Sequence, residues 1–229
     1  MDDKKNKLPE LERRSYMCEV RADGEDEARE ATIIGRPIVF GSRTDLGYFD
    51  EIIEAGALNN TDLNDVRFLV NHDFSRIPLA RSRRNNANST MQLIPDEAGL
   101  MIKATIDKEA NADARALDSA VRRGDISGMS FAFSVSGEAW DDLDTEHPTR
   151  RITEISSVVE VSAVTFPTYN ATEIYANRSN EALESARQTL ESARAQRAAK
   201  PATETPAAND LELAKAKLEF TKLSGGQNK

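Results

Sequence analysis

The chain is poor in the residues that build disulfide frameworks and metal sites. Its single cysteine, Cys18, excludes an intramolecular disulfide, and we expect a reducing compartment. Its two histidines are His72 and His147, so a zinc site would need carboxylate ligands. We therefore predict no metal and no cofactor, and a metal-dependent hydrolase is an unfavoured interpretation.

Long apolar runs are also missing. None approaches the roughly 20 residues that span a bilayer, and the first residues, Met-Asp-Asp-Lys-Lys-Asn-Lys, have no apolar core of the kind that a signal peptide needs. From these absences we expect a protein that is not secreted and does not bind membranes.

An excess of basic residues is absent too. The chain has 30 basic and 39 acidic side chains, a formal charge of −9, which argues against general nucleic-acid binding. From residue 178 onward there are 11 alanines with 9 basic and 7 acidic residues, so this part is +2 and the rest is −11. We predict an N-terminal extension with a candidate first strand over 1–29, a folded domain over 30–177, and an Ala- and charge-rich helical tail over 178–229.

Within the tail, a short repeat has helical spacing. Leu183-Glu-Ser-Ala-Arg187 recurs as Leu190-Glu-Ser-Ala-Arg194, and Pro201–Pro206 then interrupts the helix before Asp210 can cap a second segment. The repeat puts four apolar residues on one stripe: Leu183, Ala186, Leu190 and Ala193. Two interpretations stay open, a solvated appendage and a detachable segment that binds a partner.

The body is predicted to be mainly β with two helices. One helix is expected over Tyr48–Ala57, and a longer one has Asp107 as its cap, apolar positions at helical spacing and Gly124 as its stop. Strand-like runs rich in β-branched residues are Glu30–Phe40, Met91–Ile94, Leu100–Ile106, Met129–Val135 and Arg151–Thr165.

Three segments of the body carry the residue types of nucleophilic acyl transfer. If Phe68–His72 is a strand, alternation places Phe68, Val70 and His72 on one face, with the imidazole at the end of an apolar row. Ser130 lies on the small polar face of another alternating strand. Glu160 stands in an apolar run, where a carboxylate costs several kcal/mol unless it has a partner. A hydroxyl, an imidazole and a carboxylate are the set that such catalysis uses. Residue types alone do not bring them together.

Each of the three also has a purely structural interpretation. His72 can be a hydrogen-bonded histidine without catalytic function, and Ser130 can belong to an ordinary half-buried strand. Glu160 can face water from an edge position. Glu154 is the alternative carboxylate, and these alternatives stay open on the residues alone.

The order and spacing of six motifs resemble the prohead proteases of tailed bacteriophages, which mature viral capsids. The resemblance covers roughly residues 30–177 and implies a serine endopeptidase with a closed β-barrel ringed by helices, as in the herpesvirus maturation proteases. The motifs are Ile34–Phe40, Phe49–Ala57, Asp65–Asp73, Asp96–Leu100, Gly128–Phe133 and Val159–Thr168.

The resemblance also implies the role of each site residue. His72 matches the family's base, Ser130 its nucleophile and Glu160 its third catalytic member. The herpesvirus enzymes use a second histidine in the third position, for which His147 is the candidate here. Because His147 lies outside the matching strand motif, we prefer Glu160.

Partners and location follow from the same resemblance. Such proteases are packaged inside the procapsid in the bacterial host cytoplasm, cut the scaffolding segment from the major capsid protein, and then digest themselves. We therefore expect the capsid protein, its scaffolding segment and the chain itself as partners, the last by self-cleavage and as a homodimer. The rival hypothesis is a non-enzymatic capsid-assembly or scaffolding protein, which a Ser130–His72 separation above about 6 Å would favour.

Overall fold

Strands dominate the computed structural model, which describes residues 11–25, 28–166 and 176–199. The helices are α1 (Ala112–Arg122) and α2 (Ala176–Ala199). The strands are β1 (Glu12–Met17), β2 (Arg21–Asp23), β3 (Glu30–Val39), β4 (Arg43–Asp45), β5 (Asp50–Ile53), β6 (Asp65–Val70), β7 (Ala80–Arg83), β8 (Met91–Asp96), β9 (Gly99–Asp107), β10 (Gly128–Asp141) and β11 (Thr149–Val164). The predicted mainly β class with few helices is confirmed.

The larger sheet is built around the long antiparallel pair β10 and β11. Its seven strands run in the order β1-β10-β11-β5-β4, with β6 paired to β11 and β7 paired to β6. Both β5 and β6 lie parallel to β11, β5 beside its first residues and β6 beside its last. The chain that leaves β6 therefore turns beside the C-terminal end of β11.

The second sheet has four antiparallel strands in the order β2-β3-β9-β8. Its inner face packs against the larger sheet, and both contribute to one apolar core that includes Ile33, Ile102, Phe68 and Phe131. The two sheets approach closely at Gly35 of β3, where an added Cβ would lie 2.4 Å from the sulfur of Met129.

The closed barrel expected from the resemblance is not present. A barrel requires each strand to hydrogen-bond to two neighbours, whereas five of the strands described here, β1, β2, β4, β7 and β8, have a single neighbour. β7 stops after four residues because Arg84 and Asn85, with φ values of 53° and 46°, turn the chain away. The backbone N–H of Arg81 then donates to the Thr90 hydroxyl, not to a strand carbonyl.

The helix expected over Tyr48–Ala57 is wrong, because this segment contains strand β5. Burial along β5 alternates with a period of two: Glu51 and Ile53 are buried, while Asp50 and Ile52 are half-buried. Parallel pairing with β11 overrides the local helical spacing. Gly56, with a φ of 92°, then turns the chain.

The second predicted helix is confirmed as α1, and its cap is shifted by four residues. Asn111, not Asp107, is the N-cap, and its side-chain oxygen accepts from the N–H groups of Asp113 and Ala114. Asp107 instead accepts from two N–H groups of the preceding turn. The apolar positions Ala114, Leu117 and Val121 are buried as expected.

The chain divides into two compact units, Met1–Arg187 and Gln188–Lys229. Ala186, Leu190 and Ala193 of the predicted stripe are buried, while the Leu183 side chain, Pro201–Pro206 and Asp210 lie outside the described residues. The boundaries at 29 and 177 stay predictions. Among the described residues, neither helix has the length and hydropathy to cross a bilayer.

Candidate active site

A strained turn holds His72 just beyond the end of β6. Asn71 and His72 have φ values of 52° and 57°, a left-handed conformation that costs non-glycine residues of order 1 kcal/mol or more each. Hydrogen bonds offset this strain: the Asn71 N–H donates to Ala163 O at 3.0 Å, and its side-chain oxygen accepts from the N–H and the hydroxyl of Thr165. The turn, not the strand alternation expected from the sequence, therefore directs the imidazole.

Ser130 reaches the same place from the middle of the larger sheet. It is the third residue of β10 and lies between Ser15 of β1 and Ser162 of β11. Its Oγ is 2.6 Å from Nε2 of His72, a distance at which the hydroxyl can donate to a neutral imidazole. The Ser130 side chain is fully buried.

Glu160 completes the contact chain from β11. Its carboxylate is fully buried, and Oε1 makes a short hydrogen bond with Nδ1 of His72. The other oxygen, Oε2, accepts from the Ser162 hydroxyl at 2.6 Å. Both carboxylate oxygens thus have partners, which a buried charge requires. With its proton on Nδ1, His72 offers Nε2 as an acceptor to Ser130.

Ser162 is a site residue that our sequence analysis missed. Its hydroxyl donates to Glu160 and also accepts from the backbone N–H of His72 at 3.1 Å. It therefore links the carboxylate to the strained turn. The signal was present in the sequence, because residues two apart on a strand share a face.

The alternative third members lie elsewhere. Glu154 accepts a hydrogen bond from Asn60 at 3.3 Å, and Nε2 of His147 lies 3.2 Å from an oxygen of Asp50. Burial raises the pKa of Asp50, but hydrogen bonds from Arg43 and His147 outweigh this and leave the pKa below its ordinary value. The partners of both alternatives are thus groups other than His72 and Ser130.

A cluster with possible metal-ligand geometry surrounds His147. Within the described part of the chain, Asp45, Asp50 and His147 offer ligand atoms within 4.8 Å of one another. Arg43 already contacts Asp50 at 2.7 Å and balances its charge.

Strand β1 covers the serine. Its register with β10 runs from Glu12 opposite Phe133 to Met17 opposite Gly128, and the Ser130 hydroxyl also lies 2.7 Å from the carbonyl oxygen of Arg14. That carbonyl competes with His72 for the single hydroxyl hydrogen. In this arrangement the Ser130 side chain has no exposed surface. The sequence carries no local signal for this long-range pairing.

A buried network of charges fastens β1 to the sheet. Arg14 donates from two nitrogens to Glu51, and Arg150 donates at 2.7 Å to Glu12 and at 3.0 Å to Glu51. Glu138 also accepts from Arg150 at 2.6 Å. Glu51 and Arg150 are 1% and 2% exposed.

Within this network the pKa values follow the pairing. Burial raises the pKa of Glu12, but the hydrogen bond from Arg150 and the charges of both arginines outweigh it, so the pKa lies below its ordinary value. Burial lowers the pKa of Arg14 and Arg150, but the neighbouring carboxylates raise both above the usual value. Glu12, Arg14 and Arg150 are therefore charged at neutral pH, and their ion pairs hold β1 on the sheet.

Comparisons with known proteins show the family of this chain. Residues 17–186 match the family described as caudovirus prohead serine protease. A comparison with curated proteins found no match. Among solved structures, the capsid assembly protease gp21 of bacteriophage T4 is similar, with 13% identity and a TM-score of 0.41 over 68% of this chain and 98% of that one. Because the family match spans well over half of the sequence, the chain belongs to the caudovirus prohead serine proteases.

Proposed function

We propose that this serine protease cleaves capsid and scaffold proteins inside the procapsid, with Ser130 as nucleophile, His72 as base and Glu160 as the group that orients the imidazole. The observation that carries the proposal is the unbroken contact chain from Glu160 through His72 to Ser130, whose last step is 2.6 Å. This separation is well inside the limit of about 6 Å that would favour a non-enzymatic scaffold.

The chemistry proceeds by acyl transfer. Ser130 Oγ attacks the carbonyl carbon of a peptide bond while Nε2 of His72 takes the hydroxyl proton. His72 returns that proton to the nitrogen of the breaking C–N bond, so the amine leaves and an ester on Ser130 remains. Water then attacks the ester, gives its proton to Nε2, and the acid departs as Ser130 regains its hydrogen. Backbone N–H groups hold the oxyanion in both steps.

Glu160 acts through His72. Each proton transfer to Nε2 produces an imidazolium, and a carboxylate hydrogen-bonded to Nδ1 stabilises that charge while it fixes the tautomer. A buried carboxylate is more effective in this role than a second histidine, because its negative charge is only weakly screened at full burial. Ser162, bonded to Oε2, holds the carboxylate in register.

The proposed substrates are the major capsid protein with its scaffolding segment, and the chain itself. Family membership supports this choice, and it also supports action within the procapsid in the bacterial host cytoplasm. We further propose a homodimer and self-removal of the tail, residues 178–229, whose charge of +2 differs in sign from the −11 of the remaining chain. Intact-mass analysis of active enzyme tests the removal, since a persistent full-length chain contradicts it.

The nucleophile is tested by serine replacement. Wild-type, Ser130→Ala and Ser134→Ala chains are each incubated with a capsid precursor and the products are weighed by mass spectrometry. Ser134 is the matched control, because it is also buried and lies on the same face of β10. We expect the wild type and Ser134→Ala to shorten the precursor and Ser130→Ala to leave it intact. Equal trimming by all three chains rules out Ser130.

A further inference from the structure

Strand β1 lies where the peptide substrate of Ser130 has to lie. It occupies the edge of β10, and its Arg14 carbonyl oxygen is 2.7 Å from the serine Oγ. An extended peptide binds a sheet by pairing with such an edge. A peptide that took the place of β1 in the same register would present the carbonyl of the residue at the Arg14 position to Ser130, and that residue would lie before the cleaved bond.

The Arg14 side chain lies in a pocket formed by Glu51 and Phe133. Arg14 donates from Nε and Nη2 to both oxygens of Glu51, and its guanidinium lies 5.6 Å from the centroid of the Phe133 ring. The Arg14 side chain is 13% exposed and that of Glu51 is 1% exposed. A planar, two-point contact with a buried carboxylate fits a guanidinium better than any other side chain.

Without β1, the pocket also lacks one donor for Glu51. Removal of β1 takes away Glu12 and Arg14, whose charges cancel, and leaves Glu51 and Glu138 with Arg150. Glu51 then keeps only its contact with Arg150. A neutral or acidic side chain in the pocket would leave a buried carboxylate short of a partner, which is costly.

Arg14 lies outside the segment that matches the family, whereas the residues that contact its side chain lie inside that segment. The family match begins at residue 17, so Arg14 lies before it, whereas Glu51, Phe133 and Arg150 lie within it. The pocket thus belongs to the family domain, while its present occupant does not.

We infer that Glu51 is a specificity-determining residue that selects arginine immediately before the bond that Ser130 cleaves, in peptides that replace β1 on the edge of β10. This inference rests on the proposed function of Ser130. Arg150, which donates to both oxygens of Glu12 at 2.7 and 2.9 Å, extends the preference to an acidic residue two positions before the arginine.

The test compares two fluorogenic peptides with the sequence Leu-Glu-Arg-Arg-Ser-Tyr-Met, one unchanged and one with glutamine in place of the second arginine. The full chain carries Arg14→Ala, so that β1 does not offer its own arginine. We expect kcat/KM to be about 10- to 100-fold higher for the arginine peptide, the range that hydrogen bonds to a charged group provide. Equal values for the two peptides overturn the inference.

Two further variants assign the preference to Glu51. Glu51→Gln should remove the difference between the peptides, while Glu54→Gln should retain it. Glu54 is the matched control, since it follows β5 directly and also pairs with an arginine, Arg151, but makes no contact with β1. A Glu51→Gln chain that still prefers the arginine peptide overturns the assignment.

Binding separates this inference from the proposed function. In a chain that carries Ser130→Ala with Arg14→Ala, fluorescence anisotropy should show about tenfold tighter binding of the labelled arginine peptide than of the glutamine peptide. Selective binding by this chain, with no hydrolysis by the Ser130 chain, supports the subsite and refutes the proposed function. Hydrolysis without preference refutes the subsite and leaves the function standing.

Discussion

The two sheets of this protein bury different kinds of side chain. The four-stranded sheet buries aliphatic residues such as Ile33, Ile102 and Ile106, and none of its described residues is a buried polar one. The seven-stranded sheet buries the polar residues Glu51, Ser82, Ser130, Ser134, Arg150, Glu160 and Ser162. Both sheets contribute apolar residues to the core, but only the seven-stranded sheet also buries charged groups, which a well-packed scaffold tolerates when they are paired.

The seven-stranded sheet contains two polar networks, and strand β10 borders both. One joins Ser130, His72 and Glu160, and the other joins Glu51 and Arg150 to β1. β10 carries Ser130 in the first network and accepts β1 on its free edge beside the second. Under the proposed function, catalysis and substrate access depend on the same strand. The four-stranded sheet is expected to tolerate change at its polar surface.

The largest expected effect comes from the base. His72→Ala should lower kcat by about 10⁴-fold, since no other group described near Ser130 can take its proton. The measurement is single-turnover cleavage of a capsid-precursor peptide. Because the change also leaves Glu160 without its imidazole partner, His72→Gln serves as a second variant that retains a hydrogen-bond donor. Activity near wild type in either variant would show that the network of Ser130, His72 and Glu160 is not catalytic.

A smaller loss is expected from the carboxylate. Glu160→Gln should lower kcat by about 10²- to 10³-fold, because a neutral amide can still accept from Nδ1 but no longer stabilises the imidazolium. The measurement is kcat for a capsid-precursor peptide, with circular dichroism as the control, since the variant should keep its fold while its rate falls. An unchanged rate would place Glu160 among structural groups.

The ion pairs that hold β1 on the sheet should weaken in acid. The pKa of Glu12 in the folded chain lies below its ordinary value of 4.5, so its contribution is fully present above that value and is lost as the pH falls through the lower, folded value. We expect Glu12→Gln to speed amide hydrogen exchange of β1 by about tenfold at neutral pH, measured by mass spectrometry.

At acidic pH the β1 amides of the wild type and of Glu12→Gln should exchange at the same rate, because protonated Glu12 is uncharged, as glutamine is. Glu54→Gln is the control, with wild-type exchange in β1 at every pH. Equal protection of β1 in the wild type and in Glu12→Gln at neutral pH would contradict this role of the ion pairs.

The smallest effect is expected on the four-stranded sheet. Arg36 of β3 and Asp96 of β8 form a two-point ion pair at the surface, and this hydrogen bonding lowers the pKa of Asp96 to about 2. Arg36→Ala should raise that pKa toward 3.8, as an NMR titration can measure. The rate of peptide cleavage should not change, and the Tm should shift by less than about 3 °C, because exposed pairs contribute little. A large loss of activity would break the contrast between the two sheets.

Much of the fold could be predicted from sequence patterns. The β-branched runs predicted β3, β9, β10 and β11, and the spacing of Ala114, Leu117 and Val121 predicted α1. The segment of β5 misled us, since its helical spacing is overridden by parallel pairing with β11. The missing barrel has a similar cause, because strand closure depends on which edges meet, and short-range patterns do not contain that information.

For the site, residue types and motifs were sufficient to name His72, Ser130 and Glu160 as candidates. Ser162 could have been predicted from strand alternation, whereas the contacts of Arg14 with Ser130 and with Glu51 could not. Arg14 and Ser130 are 116 positions apart, and a local pattern cannot encode a contact at that separation.

By itself, the sequence determined the mainly β class, the helix α1 and the family to which this chain belongs, because periodicity and motif order are properties of neighbouring residues. The tertiary structure alone decided that β1 lies on the edge of β10, that Ser130 is covered, and that Arg14 rests on Glu51. These features arise from long-range strand pairing and from charges that find partners only after the chain has folded. For that reason the candidate catalytic residues could be predicted from the sequence, and the strand that covers Ser130 could not.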